Sequence, residues 1–386
     1  MIQAAAASVR RVPLFVTLVL ACLAAWPSAG AQAALPVLDL TYPPPPILGH
    51  AALVYDEGTR RTLFAVNQDT PLPMASTTKL MTALLVLEHG DLAGTTVISA
   101  NAATVGGSTM NLYAGEVLTR RDLLYGLLLP SGNDAAVALA ESVGGTEQHF
   151  VAMMNARCAR LGCTHTHFTS PHGLDMPGHY ASARDLLRIL LADLHYATFR
   201  AIMGTRTYYI PPSSQNNAHA LVNVNEPLWW YPGVIGAKPG NTTNAGFCDV
   251  VVARRGKREV IVVTLGMPDR YTDVRDLLNF SFSDFTWHSP ESIPASLENQ
   301  LYPRDTFSLD SPYDYLIGKD AGGRPYRYYI GTGYYVQEPF LGYLDGHDGL
   351  GLPTSQAVTS GDVATQRFGK TVLLYHGQTA TFSQVH

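Results

Sequence analysis

Two periodicities divide the chain. Apolar residues spaced as on one face of a helix predict helices from Ser76 to about His89, over Arg121 to Leu129 and Asn133 to Val143, over Phe150 to Leu161, and over Ser182 to Leu194. The fourth stops at Gly162, and the fifth opens with Ser182 as N-cap and Asp185 three residues on, close to a capping box. Period-two or β-branched runs predict strands over Ala51 to Tyr55 and Thr62 to Asn67, joined through Asp56-Glu57-Gly58-Thr59, and later over Val234 to Lys238, Phe247 to Ala253 and Val260 to Met267. Arg254-Arg255-Gly256-Lys257 reads as a hairpin connection, and a last helix is expected from roughly Asp273 to Phe285. Strands at both ends with helices between them predict an α/β (α+β) body: one antiparallel sheet completed by its terminal pieces, with an inserted helical subdomain.

The flanks have a different character. Arg10 and Arg11, the apolar stretch Val12 to Trp26 and the small residues through Ala33 have the form of a secretory signal peptide, residues 1–33, cleaved after Ala31 or Ala33 or kept as an anchor. The expected product is therefore exported and extracytoplasmic. Residues 34–48, with Tyr42-Pro43-Pro44-Pro45-Pro46, read as a stiff spacer, and 49–288 as the main body. Residues 289–320 read as a linker and 321–386 as a small β-rich module. The last hundred residues carry half of the chain's 20 tyrosines and show no long amphipathic helix.

Composition narrows the classes. With 386 residues, 46% hydrophobic and 15% charged, the chain has material for a substantial core. A net charge of -5 and no long basic run exclude a nucleic-acid binder. Beyond the leader lie Cys158, Cys163 and Cys248, an odd number for an oxidising compartment. A Cys158–Cys163 bridge requires the helix to break near Leu161-Gly162; the expectation is buried free thiols.

The candidate chemistry starts at Ser76, followed three residues later by Lys79. Residues i and i+3 on a helix are neighbours, so an amine reaches back to a hydroxyl and takes its proton. A lone Ser-x-x-Lys is more often a capped surface helix. Here it is followed, in order, by Ser131-Gly132-Asn133 on a predicted loop tip and by Lys238-Pro239-Gly240. Ser-x-x-Lys, Ser-x-Asn and Lys-Thr-Gly together are the signature of penicillin-binding proteins and class A β-lactamases. The stretches Leu118 to Ala136, Met154-Asn155 with Leu161-Gly162, and Phe168 to Asp175 make the segment from Gly49 to Phe285 resemble the D-alanyl-D-alanine carboxypeptidases, the low-molecular-mass penicillin-binding proteins. The fold this implies is the β-lactamase/transpeptidase-like one.

That resemblance implies a serine-type carboxypeptidase. Ser76 attacks the carbonyl between the terminal D-alanines of a peptidoglycan stem peptide, with Lys79 as base and Ser131 relaying a proton to the leaving amine. Asn133 holds the donor peptide, Lys238 supplies positive potential for the terminal carboxylate, and the N–H groups of Ser76 and of Asn241, just past Gly240, receive the oxyanion. β-Lactam antibiotics are implied as acylating ligands. Pro239 departs from the family, which has a carboxylate-binding hydroxyl there; Asn241, Thr242 or Thr243 are the residues placed to substitute. Three rivals stand beside this reading. A class A β-lactamase needs a Glu-x-x-x-Asn loop, but Glu141, Glu147 and Glu226, the only glutamates between Asn133 and Lys238, are not followed by Asn at that spacing. A metal hydrolase is suggested by Cys163, His165, His167, His172, Asp175 and His179. The Thr166 to Tyr180 stretch, however, matches a family pattern that resembles Thr-x-Phe-x-Asn-Pro-x-Gly-Leu-Asp, so no metal or cofactor is expected. The third is a penicillin-binding, wall-binding protein whose turnover Pro239 has reduced. Oligomeric state is left open.

Overall fold

A computed structural model describes residues 35–40, 45–283, 285–288, 315–320, 324–329, 334–345, 353, 355, 357–369 and 371–385. The predicted signal peptide lies outside the described residues. Among the described residues no helix is long and apolar enough to cross a membrane.

The centre of the molecule is a five-stranded antiparallel sheet in the spatial order Arg61–Val66, Ala51–Asp56, Arg258–Met267, Gly246–Arg255, Val234–Thr242. The hairpin read at Arg254 to Lys257 is present, with Gly256 at a φ of 61°. Its inner strands carry long apolar runs, Val250 to Ala253 and Val260 to Val263, because both faces are covered. Leu53, Val250, Val252, Ile261 and Val263 face the helical body, while Ala52, Val54, Val251, Ala253 and Val262 face Val274, Leu277 and Leu278 of the helix Thr272–Ser283. Leaving one edge of the sheet at Val234–Thr242 is what makes a cleft possible, since an edge strand keeps main-chain groups unpaired.

The helices are Lys79–His89, Arg120–Leu128, Asn133–Gly144, Glu147–Arg160 and Ala183–Asp193. Their starts are local: Thr119, Thr146 and Ser182 each accept an N–H from the first turn on the side chain, an interaction whose loss costs about 1 kcal/mol. Sequence periodicity was too short to reveal two small hairpins, Thr95–Val97 with Val117–Thr119 and Thr207–Ile210 with His219–Val222.

Two expectations are corrected. Cys158 and Cys163 are disulfide-bonded, with Cα atoms 5.2 Å apart, and among the described residues Cys248 alone is a free thiol, buried. The helix ends at Arg160, Gly162 takes a φ of 80°, and Cys163 N–H returns to Cys158 C=O at 3.0 Å while Gly162 N–H reaches Ala159 C=O. This Schellman-type reversal is the break the bridge required. The second correction concerns the flanks. Leu35–Leu40, read as spacer, is a strand that pairs with Phe285–His288 and, in parallel, with Tyr315–Asp320, inside the segment read as linker. Pro325–Tyr329 and Tyr334–Gln337 extend that sheet. Main-chain pairing between segments far apart in sequence leaves no local trace, so neither the spacer nor the linker could be recognised as strand.

A separate four-stranded sheet, Val358–Ser360, Val363–Phe368, Thr371–His376 and Thr381–Val385, makes the C-terminus β-rich as expected. Its aromatics pack on one another: Phe382 lies 4.4 Å from Tyr343 and 5.0 Å from Tyr375, ring centre to ring centre.

Candidate active site

The Ser76 segment is a 3-10 turn, Ala75–Thr78, running straight into the helix Lys79–His89. In a 3-10 turn residues i and i+3 eclipse, which stacks Ser76 on Lys79 more directly than an α-helix would. Lys79 Nζ lies 2.8 Å from Ser76 Oγ, 2.7 Å from Asn133 Oδ1 and 2.8 Å from the His172 carbonyl oxygen. Asn133 Nδ2 donates to Gly106 C=O at 2.7 Å, which fixes the amide with its oxygen toward the lysine. Two of the three partners are therefore obligate acceptors. A neutral amine has two N–H donors and one lone pair; with both donors spent on Asn133 and His172, the lone pair faces the Ser76 hydroxyl. Complete burial, then the nearby Lys238 charge, push the Lys79 pKa well below its usual value, with Asp134 opposing. The shift is toward the neutral form, the one that takes a proton.

Lys238 is the second buried lysine. It donates to Ser131 Oγ at 2.9 Å and to Pro239 C=O at 2.7 Å. Burial lowers its pKa to about 7, against Asp249, which raises it, and with Arg270, which lowers it further. Ser131 has a φ of 62°, a left-handed conformation that costs a residue with a Cβ roughly 1–2 kcal/mol. The strain is held by packing: Gly132 N–H bonds Gly126 C=O at 2.9 Å, and the Asp134 carboxylate receives the N–H groups of Met110 and Leu112. Asp134 was not singled out from sequence, where an acidic residue in a first turn reads as a cap.

The edge strand completes the cleft. A Cβ on Gly240 would lie 2.8 Å from Ser76 N and 2.9 Å from Ala75 Cβ, so only glycine lets the strand abut the nucleophile turn. Within a strand the N–H and C=O of one residue point the same way. Pro239 C=O meets Lys238 Nζ on the cleft side, so the Pro239 nitrogen faces the cleft too, and so does the N–H of Asn241 two residues on. Pro239 is therefore tolerated: it removes no bond to Gly246–Arg255. Thr242 is less free than the sequence suggested, because its hydroxyl donates to Asp175 Oδ1 at 2.6 Å and accepts Ala245 N–H at 3.2 Å. Asp175 also takes Asn244 N–H, locking the end of the strand to the Phe168 to Asp175 loop.

Of the residues singled out, hydrogen bonds join Lys79 to Ser76 and Asn133 and join Lys238 to Ser131, Gly240 abuts Ser76, and Asn241 and Thr242 follow Gly240 on the same strand. The Lys79 amine bonds Asn133 and the Lys238 amine bonds Ser131, so both lysines converge on one loop tip.

A family model described as D-alanyl-D-alanine carboxypeptidase matches residues 40–269. The chain belongs to the D-alanyl-D-alanine carboxypeptidase family. It is 35% identical over 246 residues to the D-alanyl-D-alanine carboxypeptidase DacF of Bacillus subtilis, a match covering 62% of this chain and 63% of that protein. Among solved structures it resembles the D-alanyl-D-alanine carboxypeptidase of Mycobacterium tuberculosis at 33% identity and a TM-score of 0.60, covering 64% of this chain and 95% of that one. It resembles a Streptomyces DD-transpeptidase at 32% identity and a TM-score of 0.59, covering 62% of this chain and 99% of that one. The fold is the penicillin-binding one that the motifs implied.

Within this family frame the residues behind the rival readings have other partners. Cys163 is in the disulfide, His167 Nδ1 meets Gly178 C=O at 2.7 Å, and His172 Nδ1 accepts Leu174 N–H at 3.2 Å. His179 lies between Thr169 and Thr78. Among the described residues no three of His, Cys, Asp or Glu converge as a metal-binding group. Glu147 Oε1 lies 3.9 Å from His172 Nε2.

Proposed function

We propose that this protein is a serine D-alanyl-D-alanine carboxypeptidase that trims the terminal D-alanine from peptidoglycan stem peptides outside the cytoplasm, and that β-lactams acylate it at Ser76. The Lys79 amine, 2.8 Å from Ser76 Oγ and held there by Asn133 Oδ1 and the His172 carbonyl oxygen, carries the reading. Ser76 Oγ bonds the carbonyl carbon of the penultimate D-alanine as its proton passes to Lys79 Nζ. The carbonyl oxygen, now an oxyanion, meets the N–H groups of Ser76 and Asn241; a single such donor is worth about 3 kcal/mol. The C–N bond then breaks as the leaving amine takes, through Ser131 Oγ, the proton that Lys79 received; Lys79, neutral again, accepts a proton from the water that hydrolyses the ester and returns it to Ser76 Oγ. Lys238, donating to Ser131, stands where a cation supports that transfer and attracts the substrate's terminal carboxylate. Asn133 and the edge strand hold the acyl portion. An extracytoplasmic site of action is supported by the Cys158–Cys163 bridge, which suits an oxidising compartment.

The decisive experiment incubates pure protein with a diacyl-D-Ala-D-Ala tripeptide and, separately, with a fluorescent penicillin. Release of D-alanine with a long-lived penicilloyl adduct is the expected result. Rapid hydrolysis of penicillin instead indicates a β-lactamase. Labelling without D-alanine release indicates a penicillin-binding, wall-binding protein, a second reading that Pro239 favours because the missing hydroxyl removes one hydrogen bond to the substrate carboxylate. Such a bond to a charged group is worth about 1.5–3 kcal/mol. Pro239→Thr is accordingly expected to raise kcat/KM on the tripeptide by about tenfold or more, measured by D-alanine release. An unchanged or lower value removes Pro239 from the carboxylate site.

A further inference from the structure

The Ser76 amide assigned to the oxyanion belongs to the peptide unit Ala75–Ser76. A peptide unit is planar and trans, so its oxygen and its amide hydrogen point in opposite directions, and holding one aims the other. Ala75 has a φ of 48°, which its backbone does not favour. The plane must be held from outside.

The holding groups are Thr78 and His179. Thr78 Oγ1 donates to Ala75 C=O at 2.7 Å, and His179 Nε2 lies 2.8 Å from Thr78 Oγ1. Thr169 N–H donates to His179 Nδ1 at 3.0 Å, so that nitrogen carries no proton and Nε2 does. The chain therefore has one direction: the ring donates to the hydroxyl, and the hydroxyl donates to the carbonyl. Burial first, then His167 and Lys79, with Asp175 opposing, hold the His179 pKa down to about 4, and His172 is also nearby. The ring stays neutral around pH 7. Gly173, with a φ of 90°, closes the carbonyl end: a Cβ there would lie 2.0 Å from Ala75 O and 2.6 Å from Thr78 Oγ1. At the other end of the same peptide, Ser76 N faces Gly240 of the cleft strand.

We infer that Thr78 and His179 are positioning residues that set the tilt of the Ala75–Ser76 peptide and so aim the oxyanion donor. This rests on the reading of Ser76 as the nucleophile. A threonine bonding its own preceding turn is otherwise an ordinary helix feature; here a ring from a distant segment supplies the second bond, and the bonded carbonyl is the one attached to the reacting residue.

The test compares Thr78→Val, nearly isosteric but without the hydroxyl, with Thr78→Ser, which keeps it. For Thr78→Val, penicillin acylation and kcat on the tripeptide are expected to fall about 10- to 100-fold with KM within about twofold, and affinity for a peptide boronic acid, whose adduct places an oxygen in the same hole, falls in parallel. Thr78→Ser is expected to stay within about threefold of wild type. A crystal structure of Thr78→Val is expected to show the Ala75 carbonyl rotated. Equal losses in both variants would assign the effect to packing of the threonine methyl and overturn the inference, as would wild-type acylation by Thr78→Val with the peptide plane unmoved. If Thr78→Val does not fold, His179→Leu removes the donor from outside the turn, with an expected kcat loss of about 3- to 10-fold. A wild-type protein inert to both penicillin and peptide would overturn the functional reading instead; the peptide orientation in the variant crystal then decides the positioning claim by itself.

Discussion

Replacing Ser76 by alanine is expected to abolish D-alanine release and all covalent labelling by penicillin, with the fold intact. The side chain is part-exposed near the start of a 3-10 turn whose own bonds come from backbone and threonine groups, so removing one hydroxyl disturbs little packing. Loss of a catalytic nucleophile costs on the order of 10^4- to 10^6-fold in kcat. Release assayed by a coupled D-amino acid oxidase, together with gel fluorescence of the labelled protein, measures both effects. A variant that still forms a penicilloyl adduct would move the nucleophile away from Ser76.

Lys79→Ala is expected to lower acylation about 10^2- to 10^4-fold, the range for removing a positioned general base. It also strips the donors from Asn133 Oδ1 and from His172 C=O. The melting temperature is expected to fall as well, because each buried acceptor left bare costs about 1–3 kcal/mol. The pH profile of the wild type carries the signs of both lysines. Acylation needs Lys79 neutral, so kcat/KM rises as pH climbs through its depressed pKa. Substrate carboxylate binding needs Lys238 charged, so kcat/KM falls as pH rises through about 7. The result is a bell whose alkaline limb belongs to Lys238 in the free enzyme. Lys238→Arg keeps a cation above that pH and is expected to flatten the alkaline limb while leaving the acid limb in place. An alkaline limb unmoved by that change would detach it from Lys238.

The central strands were legible because runs of Val, Ile and Ala such as Val250 to Ala253 and Val260 to Val263 fill most of them, as expected of a sheet covered on both faces. The helix starts at Ser182 and near Arg120 were legible because caps are local. The hairpins Thr95–Val97 with Val117–Thr119 and Thr207–Ile210 with His219–Val222 were not, since strands of three or four residues are too short for a period. The strand Leu35–Leu40 was not either, because its partners lie some 250 and 280 residues away.

Ser76, Lys79, Ser131, Asn133 and Lys238 could be singled out in the sequence, because Ser-x-x-Lys, Ser-x-Asn and Lys-x-Gly are each read from a few consecutive residues and their order resembles that of a known family. Their charges and proton directions were decided only in three dimensions. Burial, then the charge of Lys238, bias Lys79 toward its neutral form, and Asn133 and a carbonyl from residue 172 occupy two of its hydrogen-bonding positions beside Ser76. Asp134, Asp175, Thr78 and His179 acquire their roles the same way, from contacts between segments that are distant along the chain. A pKa and a hydrogen-bond direction are properties of an environment, and in this fold the environment of each functional group is built by residues that its own neighbours in sequence do not specify.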